Sequence, residues 1–195
     1  MKYSIILGLF CIVADFSCND NYKKFPPNFD EPDSLIKTIT PGKNYTYWAF
    51  CDWNHHIIYS HGEKPADVNF NFSRGSDLFV SYRMLYNCRY IEFIKDGKVG
   101  YVTDTDAFKI FLLPINNLRK AALLAECDGH LEIDEDHREG GSYMIKDGIY
   151  DLKFAFETSC PEIRRSVYIS IKPDSGIVKK ENLGVYYKNN NCVVF

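Results

Sequence analysis

Hydrophobic and polar positions alternate with a period of two along most of this chain. Val68, Phe70 and Phe72 are interleaved with Asn69, Asn71 and Ser73, the pattern of a half-buried strand whose successive side chains point to opposite faces. Tyr45, Tyr47, Trp48 and Phe50 predict a strand that is apolar on both faces. Residues 78–86 and 88–94 are rich in aromatic and branched side chains, which predicts two more. Lys95-Asp96-Gly97-Lys98 then separates them from a returning strand over 99–103. Asp-Gly at such a place predicts a hairpin, because a type I′ turn needs positive φ at both central residues.

The same device recurs at Lys146-Asp147-Gly148, between strands over 142–145 and 149–157. Val167, Ile169 and Ile171 alternate up to Pro173-Asp174-Ser175-Gly176, a turn by composition. Strands over 185–188 and 192–195 finish the chain. Only 117–126 has helical spacing, with Leu118, Ala121, Ala122 and Ala125 on one stripe. Roughly nine strands and one short helix predict an all-β fold, either an antiparallel barrel or a two-sheet sandwich.

The first residues belong to a different pattern. Lys2 followed by Ile5, Ile6, Leu7, Leu9, Phe10, Cys11, Ile12 and Val13 has the form of a secretory signal peptide. An apolar run of about ten residues is too short to cross a bilayer, which takes roughly 20. The expected organisation is a signal peptide over 1–14, an extended arm over 15–40 broken by Pro26, Pro27 and Pro32, and one β domain over 41–195. No later segment is apolar enough to span a membrane, so a secreted, extracellular monomer without membrane insertion is expected.

Cysteine usage agrees with that compartment. Cleavage after Ala14 leaves Cys18, Cys51, Cys88, Cys127, Cys160 and Cys192, an even number suited to three disulfides. No two form a Cys-x-x-Cys pair, whereas zinc sites carry close ligand pairs on a turn. Sequons at Asn44-Tyr45-Thr46 and Asn71-Phe72-Ser73 are candidate glycosylation sites.

Composition narrows the chemistry. A net charge of −3 in 195 residues, with Lys and Arg spread along the chain, gives no electrostatic footprint for nucleic acid. There is no Gly-x-Ser-x-Gly elbow and no glycine-rich phosphate loop. Asp52, His55, His56 and His61 do not have the spacing of a helical zinc motif, and adjacent strand histidines face opposite ways. The residues from Asp128 to Glu139 loosely match a calcium loop, but Ile133 stands where the sharp turn needs glycine. The chain is therefore expected to be non-enzymatic, with no cofactor and no metal.

Two features are left to carry function. If 130–134 is a strand, His130, Glu132 and Asp134 share one face while Leu131 and Ile133 pack on the other. That acidic face is either a cavity wall attracting an amine or a solvated edge that resists aggregation. The aromatic segment with Tyr47, Trp48, Phe50 and Trp53 either lines a ligand pocket or fills an ordinary core beside an exposed patch.

A leader, about 180 further residues, many antiparallel strands and widely spaced cysteines resemble the secreted salivary lipocalins of arthropods. The carrying residues are Cys18 before the first strand, Cys51 near the early strands, Cys127 in mid-chain and Cys192 at the end. The chain lacks the opening Gly-x-Trp triplet of that family and has Pro41-Gly42-Lys43 before its aromatic strand. The resemblance implies a lipocalin-like barrel, host interaction in saliva, and the pairings Cys18–Cys127, Cys51–Cys192 and Cys88–Cys160. The expected function is a secreted binding protein holding a small amine or lipid in a barrel cavity, through Tyr47, Trp48, Phe50, Trp53, His130, Glu132 and Asp134. The alternative is a secreted β-sandwich that binds and inhibits an extracellular protein such as a protease, complement component or cytokine.

Overall fold

The structure is a computed structural model and describes residues 21–27, 29, 32–52, 54–72, 89–129 and 131–190. Among the described residues the chain forms β1 (Lys23–Lys24), α1 (Pro32–Lys37), β2 (Tyr45–Asp52), β3 (Ile57–Gly62), β4 (Arg89–Lys95) and β5 (Lys98–Val102). It continues through α2 (Thr105–Leu112), α3 (Leu118–Cys127), β6 (Gly141–Lys146), β7 (Ile149–Ser159), β8 (Glu162–Lys172) and β9 (Gly176–Asn189).

The strands make two antiparallel sheets. One has the order β3-β2-β4-β5, the other β1-β6-β7-β8-β9. Both Asp-Gly hairpins form as expected: Asp96 and Gly97 have φ of 50° and 71°, Asp147 and Gly148 have 53° and 77°. The turn at 173–175 also joins β8 to β9 as read. The described residues form two open sheets and no closed barrel, so the barrel alternative is corrected in favour of a sandwich-like arrangement.

That arrangement contains more helix than the sequence reading allowed. α2 packs on β5, α3 packs on β7 and β9, and the two helices pack on each other. The inner faces of both sheets meet this helical layer in one core: Trp48, Phe50 and Ile91 from one side, Leu152, Phe154, Ile169 and Ile171 from the other. α3 has the expected span and a proper N-cap, with Asn117 Oδ1 accepting from Lys120 N at 2.9 Å. Ala121 through Ala125 are all buried, so the middle of α3 is covered on every side. α2 was not anticipated, although Asp104 caps it by accepting from Ala107 N at 2.7 Å. Its Phe108, Phe111 and Leu112 are buried.

Three further expectations are corrected. The arm over 15–40 is not simply extended where it is described: 32–37 is helical, and Phe25, Leu35, Ile36 and Ile39 are buried in the core. Apolar residues in that polar stretch anchor it to the molecule. Residues 68–72 form no strand; Val68, Phe70 and Phe72 instead lie across the outer face of the four-stranded sheet. The predicted strands over 78–86 and 192–195 lie outside the described residues. The 131–140 segment is a loop holding one isolated bridge, Glu132 with Ala155. No helix among the described residues is long and apolar enough to cross a membrane.

Among the described residues Cys51 and Cys127 carry free thiols, so the expected three-disulfide stapling is not seen there. Cys51 is buried among aromatic side chains of the outer sheet face, and Cys127 ends α3. Cys160 is disulfide-bonded. Cys18, Cys88 and Cys192 lie outside the described residues.

Candidate functional site

β2 is buried on both faces because its alternation serves two cores. Trp48 and Phe50 point toward the helices, and Tyr47, Ala49 and Cys51 point outward. β4 repeats this: Ile91 faces inward, Tyr90 and Ile94 outward. The register sets Glu92 opposite Ala49 on one neighbour and Tyr101 on the other. Since opposed residues share a face, Glu92 stands on the outer face among aromatic side chains. The small Ala49 leaves room beside it. Only 5% of Glu92 is exposed.

Above this face the 63–72 segment forms the far wall of a cleft of about 380 Å³, lined by His55, Lys64, Phe70, Phe72, Tyr90 and Glu92 among others. That volume lies within the range of small-molecule sites, roughly 300–1,000 Å³. The rings are mutually fixed. Phe72 stacks on Tyr90 with centroids 4.3 Å apart, and Tyr101 lies 5.2 Å from Phe72 and 6.1 Å from Phe70. Tyr47 meets Phe70 at 5.7 Å. The Lys64 ammonium sits 5.0 Å from the Phe70 ring centroid, so the cleft already accommodates one cation on an aromatic face.

The polar groups form a chain across the floor. His55 Nδ1 and the Tyr90 hydroxyl share a hydrogen bond of 2.8 Å. The Cys51 thiol lies beside Tyr90, and the Tyr47 hydroxyl lies beside Glu92. Burial raises the Glu92 carboxyl above its ordinary value; the charges of Lys64 and His55 and the Tyr47 hydrogen bond act against that rise. Burial, with the Glu92 charge behind it, pushes Tyr47 up to about 12 and Cys51 up to about 12. A thiol held protonated in this way is a poor nucleophile. The floor therefore offers a desolvated carboxylate beside neutral hydroxyls and a neutral thiol. Such a set can neutralise and hydrogen-bond an organic cation.

The sequence-derived candidates divide between this cleft and other places. Tyr47 belongs to the cleft floor. Trp48 is fully buried on the opposite face, with Phe111 at 5.5 Å and Tyr59 at 5.3 Å, and Phe50 packs in the same inner core. Both are corrected from ligand-binding to core residues, because one-residue spacing on a strand reverses the face. Trp53 and His130 lie outside the described residues.

The acidic stretch belongs to the other sheet. Glu132 and Asp134 line a separate cleft of about 320 Å³ with Asp136, Glu157 and Arg164. Asp134 is buried there, and its carboxylate is already occupied. It accepts from Tyr186 Oη at 2.8 Å, Arg164 Nη1 at 3.0 Å, His137 Nδ1 at 3.1 Å, and the backbone N–H groups of Asp136 and His137 at 3.0 and 3.1 Å. These bonds fasten the 131–140 loop to β8 and β9. The aromatic segment and the acidic stretch do not meet. Sequence reading missed Glu92, and the available signal was a single carboxylate in the apolar run Tyr90-Ile91-Glu92-Phe93-Ile94. Among the described residues, no group of three or more His, Cys, Asp and Glu side chains is arranged to hold a metal ion.

The chain matches no family model, no curated protein and no solved structure.

Proposed function

We propose that this is a secreted, non-enzymatic binding protein whose cleft on the outer face of the four-stranded sheet takes a small organic amine. The observation that carries the reading is Glu92, a carboxylate buried at the base of an aromatic-walled cleft. Burying an acid is costly unless a partner compensates it, and an ammonium group restores what desolvation removes. Aromatic faces add cation–π attraction in the same place. A lipid would leave Glu92 desolvated against hydrocarbon, which favours the amine. The protonated Cys51 thiol and the engagement of His55 with Tyr90 support a binding role over nucleophilic catalysis. Secretion rests on the Lys2 to Val13 pattern, and the exposed Asn44 and Asn71 side chains are proposed glycan sites.

The test is calorimetric titration of the full secreted chain with an arylalkylamine such as phenethylamine or tryptamine. Saturable binding to the wild type and a loss of about tenfold or more in Glu92→Gln is expected, the scale of removing one partner of a buried charge pair. Gln keeps an acceptor for Tyr47, so the fold is retained. Absence of binding, or equal binding to the variant, overturns the reading.

A second reading draws on β9, an edge strand on which Leu183 and Val185 are 50% and 54% exposed. Exposed apolar groups on a strand edge suit recognition of another extracellular protein. A cleft that stays empty toward amines would favour it.

A further inference from the structure

The cleft carries two opposite charges, and their positions differ in kind. Glu92 is buried at the base, whereas Lys64 is exposed at the rim, with its ammonium over the Phe70 ring. The Lys64 charge reaches Glu92 across the cleft. A ligand with one positive charge would therefore enter a cleft whose formal charges already cancel between Glu92 and Lys64. It would gain at the base and be repelled at the rim. A ligand carrying both charges meets an opposite partner at each end. Its order is fixed, because the ammonium must point inward to the buried carboxylate and the acid outward to the exposed ammonium. Phe70, Phe72 and Tyr90 line the same cleft as an apolar wall, with the Phe72 and Tyr90 rings stacked on each other.

Resting on the amine reading of this same cleft, we infer that the ligand class is a zwitterionic α-amino acid with an aromatic side chain: its ammonium lies on Glu92, its carboxylate on Lys64, and its ring against Phe70, Phe72 and Tyr90. Lys64 is then the residue that separates an amino acid from the corresponding decarboxylated amine. Discrimination of this kind comes from pairing a charge that the competitor lacks and repelling the one it has.

The experiment uses two ligand pairs that differ only in the carboxylate, phenylalanine with phenethylamine and tryptophan with tryptamine. Each is titrated calorimetrically into the full secreted chain, Lys64→Gln and Glu92→Gln, with circular dichroism melts showing that the variants fold. Lys64 is exposed, so its replacement leaves the core intact. The amino acid of at least one pair is expected to bind the wild type about fivefold or more tightly than its amine, the scale of a partly solvated ion pair. Lys64→Gln should abolish that preference while leaving the amine as tight or tighter, and Glu92→Gln should weaken both. If the amines bind as well as the amino acids, or if Lys64→Gln leaves the ratio unchanged, the zwitterion inference fails and the amine reading stands. If no ligand binds, or if Glu92→Gln changes nothing, the amine reading fails as well.

Discussion

At the scale of single residues, two buried carboxylates, Glu92 on β4 and Asp134 in the 131–140 loop, answer burial in opposite ways. For Glu92 burial outweighs the opposing effects of the distant Lys64 charge and the neighbouring Tyr47 hydroxyl, so its carboxyl is raised. For Asp134 burial also acts upward, but hydrogen bonds from Tyr186, Arg164, His137 and the Asp136 N–H outweigh it and hold the carboxyl at about 2. A carboxylate whose folded value is depressed contributes stability above its unfolded value near 4, and that contribution is lost as pH falls through the folded value. Acidification from about pH 4 to about pH 2 should therefore remove about 2 kcal/mol through Asp134 alone. Denaturant melts over that range should show a steeper fall for the wild type than for Asp134→Asn, which should already be less stable at neutral pH. Parallel pH profiles for the two proteins would show that Asp134 does not anchor the loop.

Among the elements, the junction of α2 and α3 depends on a cation inside the helical layer. Lys120 is 2% exposed, and its ammonium donates to the carbonyls of Leu112 at 3.0 Å and Pro114 at 2.9 Å. Burial lowers its pKa, as expected of an ammonium whose partners are carbonyls. The last carbonyls of a helix have no partner within it, and Lys120 supplies one for the end of α2. Lys120→Met preserves the apolar stem and removes the donors, leaving buried acceptors unsatisfied at a cost of about 1–3 kcal/mol. Chemical denaturation should register that loss; an unchanged midpoint would mean that water or another donor serves these carbonyls. This contact was not legible in the sequence. Arg119-Lys120 reads as a solvated helix start, and only the packing of α3 against the end of α2 turns Lys120 inward.

For the whole molecule, local chemistry foretold the hairpins and α3, because Asp-Gly turns and three-to-four apolar spacing depend on neighbouring residues alone. Which face of β2 lines the proposed ligand cleft was not foretold. Tyr47, Trp48, Ala49, Phe50 and Cys51 are apolar on both faces, so the alternation carries no sign. The helical layer claims the Trp48 and Phe50 face. The other face is left to the covering 63–72 segment and to Glu92. Likewise Glu132 and Asp134 lie on the opposite sheet from the aromatic cleft, which sequence distance gives no means to see. The proposed ligand site thus lies outside the four-stranded sheet, not between the layers and not at the 131–140 loop. The most direct test is a ¹H–¹⁵N NMR titration of the labelled chain with phenethylamine or phenylalanine. Shifts concentrated at Tyr47, Cys51, His55, Lys64, Phe70, Tyr90, Glu92 and Tyr101 are the expected result. Shifts centred on Glu132, Asp134 and Arg164, or on the α2 and α3 core, would contradict it.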